Sequence, residues 1–234
     1  MKPVAIFRHA PTEGAGYFAT VLERNHIPWQ VIAIDAGEMV PQDPRAFSGL
    51  VFMGGPMSVN DDLPWIAPVL KLIAGSVAAN VPVLGHCLGG QLMSAALGGA
   101  VSRNPVKEIG WGEVDVVDVP AAREWFGHAA PSFTSFHWHG ESFTLPPGAE
   151  RVLTNRYCEN QAFTLGPHLA MQCHIEMTPD MIDSWCVSGD REIRRSQSPA
   201  VQSVAAIKSA SERGLAKLHA VADGVYARWI EGLR

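Results

Sequence analysis

Residues 81–98, VPVLGHCLGGQLMSAALG, restrict the fold more tightly than any other stretch of the chain. Val81, Val83 and Leu84, interrupted only by Pro82, form a short apolar run that predicts a buried strand. Gly85-His86-Cys87-Leu88-Gly89 follows at once. Gln91, Leu92, Met93, Ala95, Ala96 and Leu97 then predict a helix, closed by Gly98-Gly99. Strand, tight turn and helix in so few residues is the geometry of a nucleophile elbow. Gly85 and Gly89 leave room for a strained turn and for close strand–helix packing. Cys87 then sits at the tip with its sulfur at a helix N-terminus, where the backbone dipole favours negative charge. The alternative is a small buried cysteine packed between strand and helix.

The segments before the elbow alternate between strand and helix. Val4 to Phe7 predicts a first strand, and Tyr17, Phe18, Val21 and Leu22 mark one face of a helix. Trp29 to Ile34 and Leu50 to Met53 predict two more strands, and a helix is expected around 65–78. That order implies α/β architecture: a doubly wound, mostly parallel central sheet flanked by helices, with sites beyond the carboxyl ends of the strands. Three loops fall at that edge: His9 to Gly14, Gly54 to Asp62, and the elbow. In the second, Gly55 offers a backbone N–H which, with that of Leu88, would make a two-donor oxyanion hole. A plain turn is the competing account of that loop.

After residue 100 the pattern shifts. Strands are expected at Val114 to Val119, Phe133 to Trp138, Arg151 to Thr154 and Ala162 to Leu165. Turns such as Pro146-Pro147-Gly148 point to an added antiparallel portion. Leu169 to Cys173 reads as a buried strand running into His174-Ile175-Glu176. Residues two apart in extended chain share a face, so Glu176 can hold the His174 imidazole toward the Cys87 sulfur. Thr178 or Asp180 is expected to cap a helix through Trp185. Leu215, Leu218, Ala222, Val225 and Trp229 have helical spacing. The polar segment 188–198, with Arg191, Arg194 and Arg195, reads as an exposed connection.

Composition narrows the function classes. The 234-residue chain has a net charge of -5 and no Lys/Arg run, which argues against a nucleic-acid surface. The start goes straight into a strand with no signal-peptide pattern, and no uninterrupted apolar span reaches membrane length. Cys87, Cys158, Cys173 and Cys186 form no C-x-x-C pair, so neither a zinc knuckle nor a disulfide framework is indicated and a cytoplasmic location is expected. No metal or cofactor is called for by these motifs, and a G-x-x-x-x-G-K-[ST] nucleotide loop does not occur.

Gly85-His86-Cys87-Leu88-Gly89-Gly90-Gln91 resembles the G-x-C-x-G-x-Q motif of class I (triad) glutamine amidotransferases. Gln172-Cys173-His174-Ile175-Glu176 resembles their Q-F-H-P-E motif, with Cys173 and Ile175 replacing Phe and Pro. Gly54-Gly55-Pro56 matches their oxyanion strand, and His137-Trp138-His139-Gly140-Glu141 resembles the S-H-G-D segment of the GMP-synthetase-type branch. The resemblance implies a flavodoxin-like fold over a single domain, 1–234, with the helical segment 178–234 packed on it. It implies Cys87 as nucleophile, His174 as base, Glu176 as orienting acid, and oxyanion donors at Gly55 and Leu88. Gln91 and the backbone around Trp138 and Gly140 would hold the amino-acid end of a small-molecule substrate. The implied reaction is hydrolysis of the glutamine γ-amide through a cysteinyl thioester, releasing ammonia. The resemblance leaves two outcomes open: service to a separate synthetase subunit, or a self-sufficient hydrolase with no partner. No synthetase domain follows, and Lys107-Glu108-Ile109-Gly110-Trp111 is similar to free-standing members, some of which resemble γ-glutamyl peptide hydrolases.

Three other classes compete. Arg8-His9-Ala10-Pro11-Thr12 is similar to the R-H-G-x-T motif of histidine phosphatases, with Ala10 in place of Gly, but that reading leaves the elbow unexplained. A cysteine α/β-hydrolase shares G-x-C-x-G, yet there the acid precedes the histidine in sequence. A non-enzymatic regulatory protein would not need Cys87, His174 and Glu176 together.

Overall fold

A computed structural model describes residues 1–127 and 129–234. In chain order the elements are β1 (Val4–Arg8), α1 (Gly16–Arg24), β2 (Trp29–Ala33), β3 (Gly49–Phe52), α2 (Ile66–Ala78), β4 (Val83–His86), α3 (Leu88–Ala96) and β5 (Val101–Val116). They continue with α4 (Pro120–Phe126), β6 (Ser132–Phe143), β7 (Glu150–Thr154), β8 (Ala162–Leu165), β9 (His168–Met171), α5 (Pro179–Ser188), α6 (Asp190–Arg195), β10 (Ala200–Val201) and α7 (Val204–Ile230).

The strands form one sheet. β2, β1, β3, β4 and β9 run parallel side by side, and β8, β7 and β5 continue antiparallel from β9. β6 pairs antiparallel with β5, and β10 adds a short parallel pairing to it. The mixed α/β sheet expected from the sequence is therefore present: a parallel half from β2 to β9 and an added antiparallel portion built from β5, β6, β7 and β8.

Period-two alternation sends side chains to both faces, and both are covered, as a parallel sheet requires. Ile6, Val51 and Leu84 face a core built with Phe18, Leu22, Leu218, Val225, Tyr226 and Trp229 of α1 and α7. Phe7, Phe52 and Val83 face the opposite core with Val69, Leu72, Ile73, Leu88 and Leu92 of α2 and α3. Each of these strand side chains is fully buried.

Four features differ from the expected pattern, and the first is that the segment 178–234, expected to be helical, carries the short strand β10, paired with Glu108 and Ile109 of β5. β5 begins at Val101 rather than near Val114, because Gly110 (φ +107°) and a register shift between Arg103 and Glu108 break its alternation. A Cβ on Gly110 would lie 2.3 Å from the Gln202 side chain, which donates to the Trp111 carbonyl (2.9 Å) and accepts from the Trp111 N–H (2.8 Å). α4 is unanticipated, since two turns are too few to print a helical period, yet Ala122, Trp125 and Phe126 are buried. The 188–198 segment is in part a correction: Arg191, Arg194 and Arg195 are exposed, but buried Ile193 anchors α6 against the body. Among the described residues no helix is long and apolar enough to cross a membrane.

The elbow's glycines are packing requirements. A Cβ on Gly89 would sit 1.9 Å from the Phe52 carbonyl oxygen, and one on Gly85 would sit 2.5 Å from the Gly89 backbone. Gly14 meets nothing within 4 Å. Gly89→Ala is therefore expected to lower unfolding free energy by about 3 kcal/mol or more in urea titration, whereas Gly14→Ala should fall within about 0.5 kcal/mol of the parent. Equal stability of the two variants would contradict this packing.

Candidate active site

The elbow forms as its sequence requires. Cys87 caps α3 with φ 49° and ψ −106°, a left-handed conformation that is costly for a residue with a Cβ. Its N–H is tied to the Met171 carbonyl (2.8 Å), and its own carbonyl accepts from the Gln91 N–H (3.0 Å). A Cβ on Gly90 would lie 2.6 Å from that Met171 oxygen, so only glycine lets β9 close on the turn. Cys87, 6% exposed as a residue, brings its sulfur to the carboxyl edge of the sheet and lines a cleft of about 640 Å³.

The parallel pairing of β9 with β4 brings His174 and Glu176 to this sulfur. Their segment is irregular rather than a regular strand. It is pinned by an isolated bridge in which the His174 N–H donates to the Phe136 carbonyl (2.8 Å) and the Phe136 N–H donates back (3.3 Å). His174 Nδ1 lies 2.6 Å from Glu176 Oε1. The edge of Trp185 packs on the imidazole at 4.9 Å between ring centres, leaving Nε2 buried and without a protein hydrogen bond. The Gln172 Nε2 donates to Cys87 Sγ at 3.4 Å, and the Trp138 carbonyl faces the sulfur at 3.8 Å.

Electrostatics favour charge separation here. Burial opposes protonation of His174, but the Glu176 carboxylate and then the Cys87 sulfur override it and hold the imidazole well above its ordinary range. Burial likewise opposes ionisation of Glu176, yet His86 and His174 hold its carboxyl down to about 2. His86 Nε2 stands 3.7 Å from Glu176 Oε2 and 3.1 Å from the Tyr226 hydroxyl. The His86–Tyr226 support behind Glu176 escapes sequence reading because Tyr226 is 140 residues away on α7.

The remaining anticipated residues lie around the same cleft. Gly55 lines it, and the Gly55 and Leu88 amides donate to no other group among the described residues. Gln91 is buried and spends its amide on the Gln172 side chain (3.1 Å) and the Glu141 carbonyl (3.4 Å). The Trp138 indole donates to Glu192 (3.0 Å), and Gly140 leaves room for Lys107. Ser188, Gly189 and Glu192 form part of the cleft wall, a role not anticipated for that segment.

Glu13 is the main residue that sequence reading passed over. Its Oε2 is buried with no partner, 2.6 Å from where a Gly54 Cβ would stand. Burial pushes its carboxyl up to about 7, with His174 pulling it back. His9, four residues earlier, is 1% exposed, bonds the Met53 carbonyl through Nδ1 (3.0 Å) and packs on Trp65. Burial takes it down to about 4, so it stands as a neutral ring packed between Met53 and Trp65. Burial also pushes the Cys158 thiol up to about 11 and Cys173 up to about 12, which suits inert structural thiols.

A family model described as glutamine amidotransferase class-I matches residues 19–186. A glutamine amidotransferase crystal structure from Methylobacillus flagellatus superposes with a TM-score of 0.97 at 43% identity, covering 100% of this chain and 96% of that one. The glutamine amidotransferase-like protein YfeJ of Salmonella typhimurium is 29% identical over 210 residues, 86% of this chain and 87% of the relative. One of the subunits of the glutamine-hydrolyzing GMP synthase of Sulfolobus acidocaldarius is 29% identical over 135 residues, 58% of this chain and 68% of the relative.

The Glu13 shift has a testable sign. Its folded-state pKa, about 7, exceeds the ordinary 4.5. The folded protein therefore holds the extra proton between those values, and stability falls as pH rises through that window. Glu13→Gln removes the cost of the ionised form. The variant should be more stable than the parent at pH 8 and about equal below pH 4.5, measured by urea unfolding at both pH values. An advantage that is the same at both would contradict the shift.

Proposed function

The chain belongs to the class-I glutamine amidotransferase family, and from that premise we propose that it hydrolyses the γ-amide of glutamine through a thioester on Cys87. The observation that carries this reading is the alignment of the elbow cysteine with a histidine whose far nitrogen is 2.6 Å from a buried carboxylate.

Cys87 Sγ attacks the amide carbon while the developing oxyanion takes the free amides of Gly55 and Leu88. One such donor is worth about 2.7–4 kcal/mol in the transition state. His174, held protonated by Glu176, gives its proton to the leaving nitrogen, and ammonia departs. Water then attacks the thioester, His174 accepts its proton, and the C–S bond breaks to release glutamate, leaving Cys87 as the thiolate beside protonated His174 with which the cycle began. Trp185 and Gln172 orient the pair, and Gln91 with the backbone at Trp138 and Gly140 positions the amino-acid end of the substrate. Delivery of the ammonia to a separate synthetase fits the relative that is one component of a GMP synthase.

A second reading draws on the cleft itself. Its volume of about 640 Å³, with Arg103 and Lys107 at the rim, accommodates a leaving group larger than ammonia. A self-contained γ-glutamyl amide hydrolase would use the same three residues.

The test is product release from glutamine and a panel of γ-glutamyl amides by the purified chain. Cys87→Ala and His174→Ala should each lower the rate by about three orders of magnitude, and the double variant by little more, because the residues act as a unit. Cys158→Ser and Cys186→Ser should stay near the parent rate. An active Cys87→Ala protein would defeat the proposal. Preference for bulkier amides would select the hydrolase reading.

A further inference from the structure

A second cluster of reactive side chains lies behind the cleft wall. His137 and His139 are two apart on β6, so both rings leave the same face of the strand while Trp138 turns to the other. β6 pairs with β5 so that His139 stands opposite Glu108 and His137 opposite Gly110, where no side chain competes for the space. One donor atom from each of Glu108, His137 and His139 lies within 4.8 Å of the other two. All three residues are buried, at 3%, 1% and 5% exposure.

The hydrogen bonds leave this cluster incomplete. His139 Nδ1 is 3.0 Å from the Glu141 carbonyl, which can only accept, so Nδ1 carries the hydrogen. In the neutral ring Nε2 is then a bare lone pair, and it faces Glu108 Oε2 at 3.1 Å. Two acceptors at that distance need a cation between them or a proton on the ring. Beside them His137 has neither ring nitrogen hydrogen-bonded. A single proton on His139 would satisfy one pair and leave His137 orphaned; an ion at the centre satisfies all three. The carboxylate is already aimed, receiving Asn155 Nδ2 at Oε1 (2.7 Å) and Gln161 Nε2 at Oε2 (2.8 Å). Imidazole Nδ1–H on a carbonyl and carboxylate oxygens held by amides are the outer contacts that metal ligands require.

We propose that Glu108, His137 and His139 bind a divalent first-row transition-metal ion of the zinc class. Two imidazole nitrogens and one carboxylate oxygen suit such an ion and leave a coordination position free. That position opens toward a cavity of about 310 Å³ lined by Glu108, His137, Asn155, Tyr157 and Gln202. The ion clamps β6 to β5 through His139, which with Trp138, Gly140 and Glu141 also walls the cleft. The site is independent of the Cys87 chemistry and does not require it.

Metal is stripped from the full chain with a chelator, and the protein is then titrated with Co²⁺ and, separately, Zn²⁺. One ion per chain by elemental analysis, a visible Co²⁺ ligand-field band and a rise in melting temperature are expected. His137→Ala breaks no hydrogen bond and Glu108→Gln keeps its shape. Each should remove the band and weaken binding by about a hundredfold, at least the loss that removing an outer contact brings. His219→Ala, on α7 away from the cluster, should bind as the parent does. No stoichiometric binding by the parent would overturn the proposal, as would undiminished binding in His137→Ala and Glu108→Gln. A His139 ring that is protonated at neutral pH in metal-supplemented protein would equally overturn it, since the pair would then be a simple ion pair.

Discussion

The site depends on one close contact: the backbone of the turn around Cys87 lies against the backbones of β3 and β9. Gly89 touches the Phe52 carbonyl, Gly90 touches the Met171 carbonyl, and Gly85 touches the Gly89 backbone. No residue with a Cβ fits at these positions, and the turn they permit holds Cys87 at a positive φ. Such strain persists only where the surroundings over-determine it. Here they do, through the Cys87–Met171 hydrogen bond and two flanking cores packed on a buried sheet. The same contact brings β9 beside β4, and so delivers His174 and Glu176 to the sulfur.

A second constraint is the buried charge. Glu176 is fully buried, and its carboxylate is tolerated because His174 and His86 face its two oxygens. The two partners titrate with opposite signs. Glu176, depressed from 4.5 to about 2, contributes stability above about pH 4.5 that is lost as pH falls toward 2. His174, raised above 6.5, contributes stability below about pH 6.5 that is lost as pH rises through its elevated folded value. The pair is fully engaged between those limits. Taking two charges out of water offsets much of their attraction, so the arrangement serves the orientation of the imidazole more than the stability of the fold.

Much of this was legible in the sequence because it is local. The elbow is written in consecutive residues, and buried parallel strands print as short apolar runs, so the sequence places β1, β3, β4 and β9 within a residue or two. Histidine and glutamate two apart were expected to share a face, and they meet, though on a bridged irregular segment rather than a strand. What stayed hidden is what tertiary contact creates. Tyr226 reaches His86 from α7, Trp185 packs on His174 from α5, and Glu13 becomes a shifted carboxyl only because the fold buries it against Gly54, against the pull of His174. The Glu108–His137–His139 cluster depends on the β5–β6 register, and the Gly110 irregularity obscures β5 in the sequence.

The claim that Cys87 is the nucleophile of this cleft is tested most directly by covalent labelling with a diazoketone analogue of glutamine, followed by peptide mass spectrometry. Such a reagent needs both recognition of the glutamine skeleton and an activated sulfur. The account expects a single modification on the peptide carrying Cys87, suppressed by excess glutamine and strongly slowed in His174→Ala. Modification of Cys158, Cys173 or Cys186 instead, or labelling of Cys87 that glutamine and the loss of His174 leave unchanged, would contradict it.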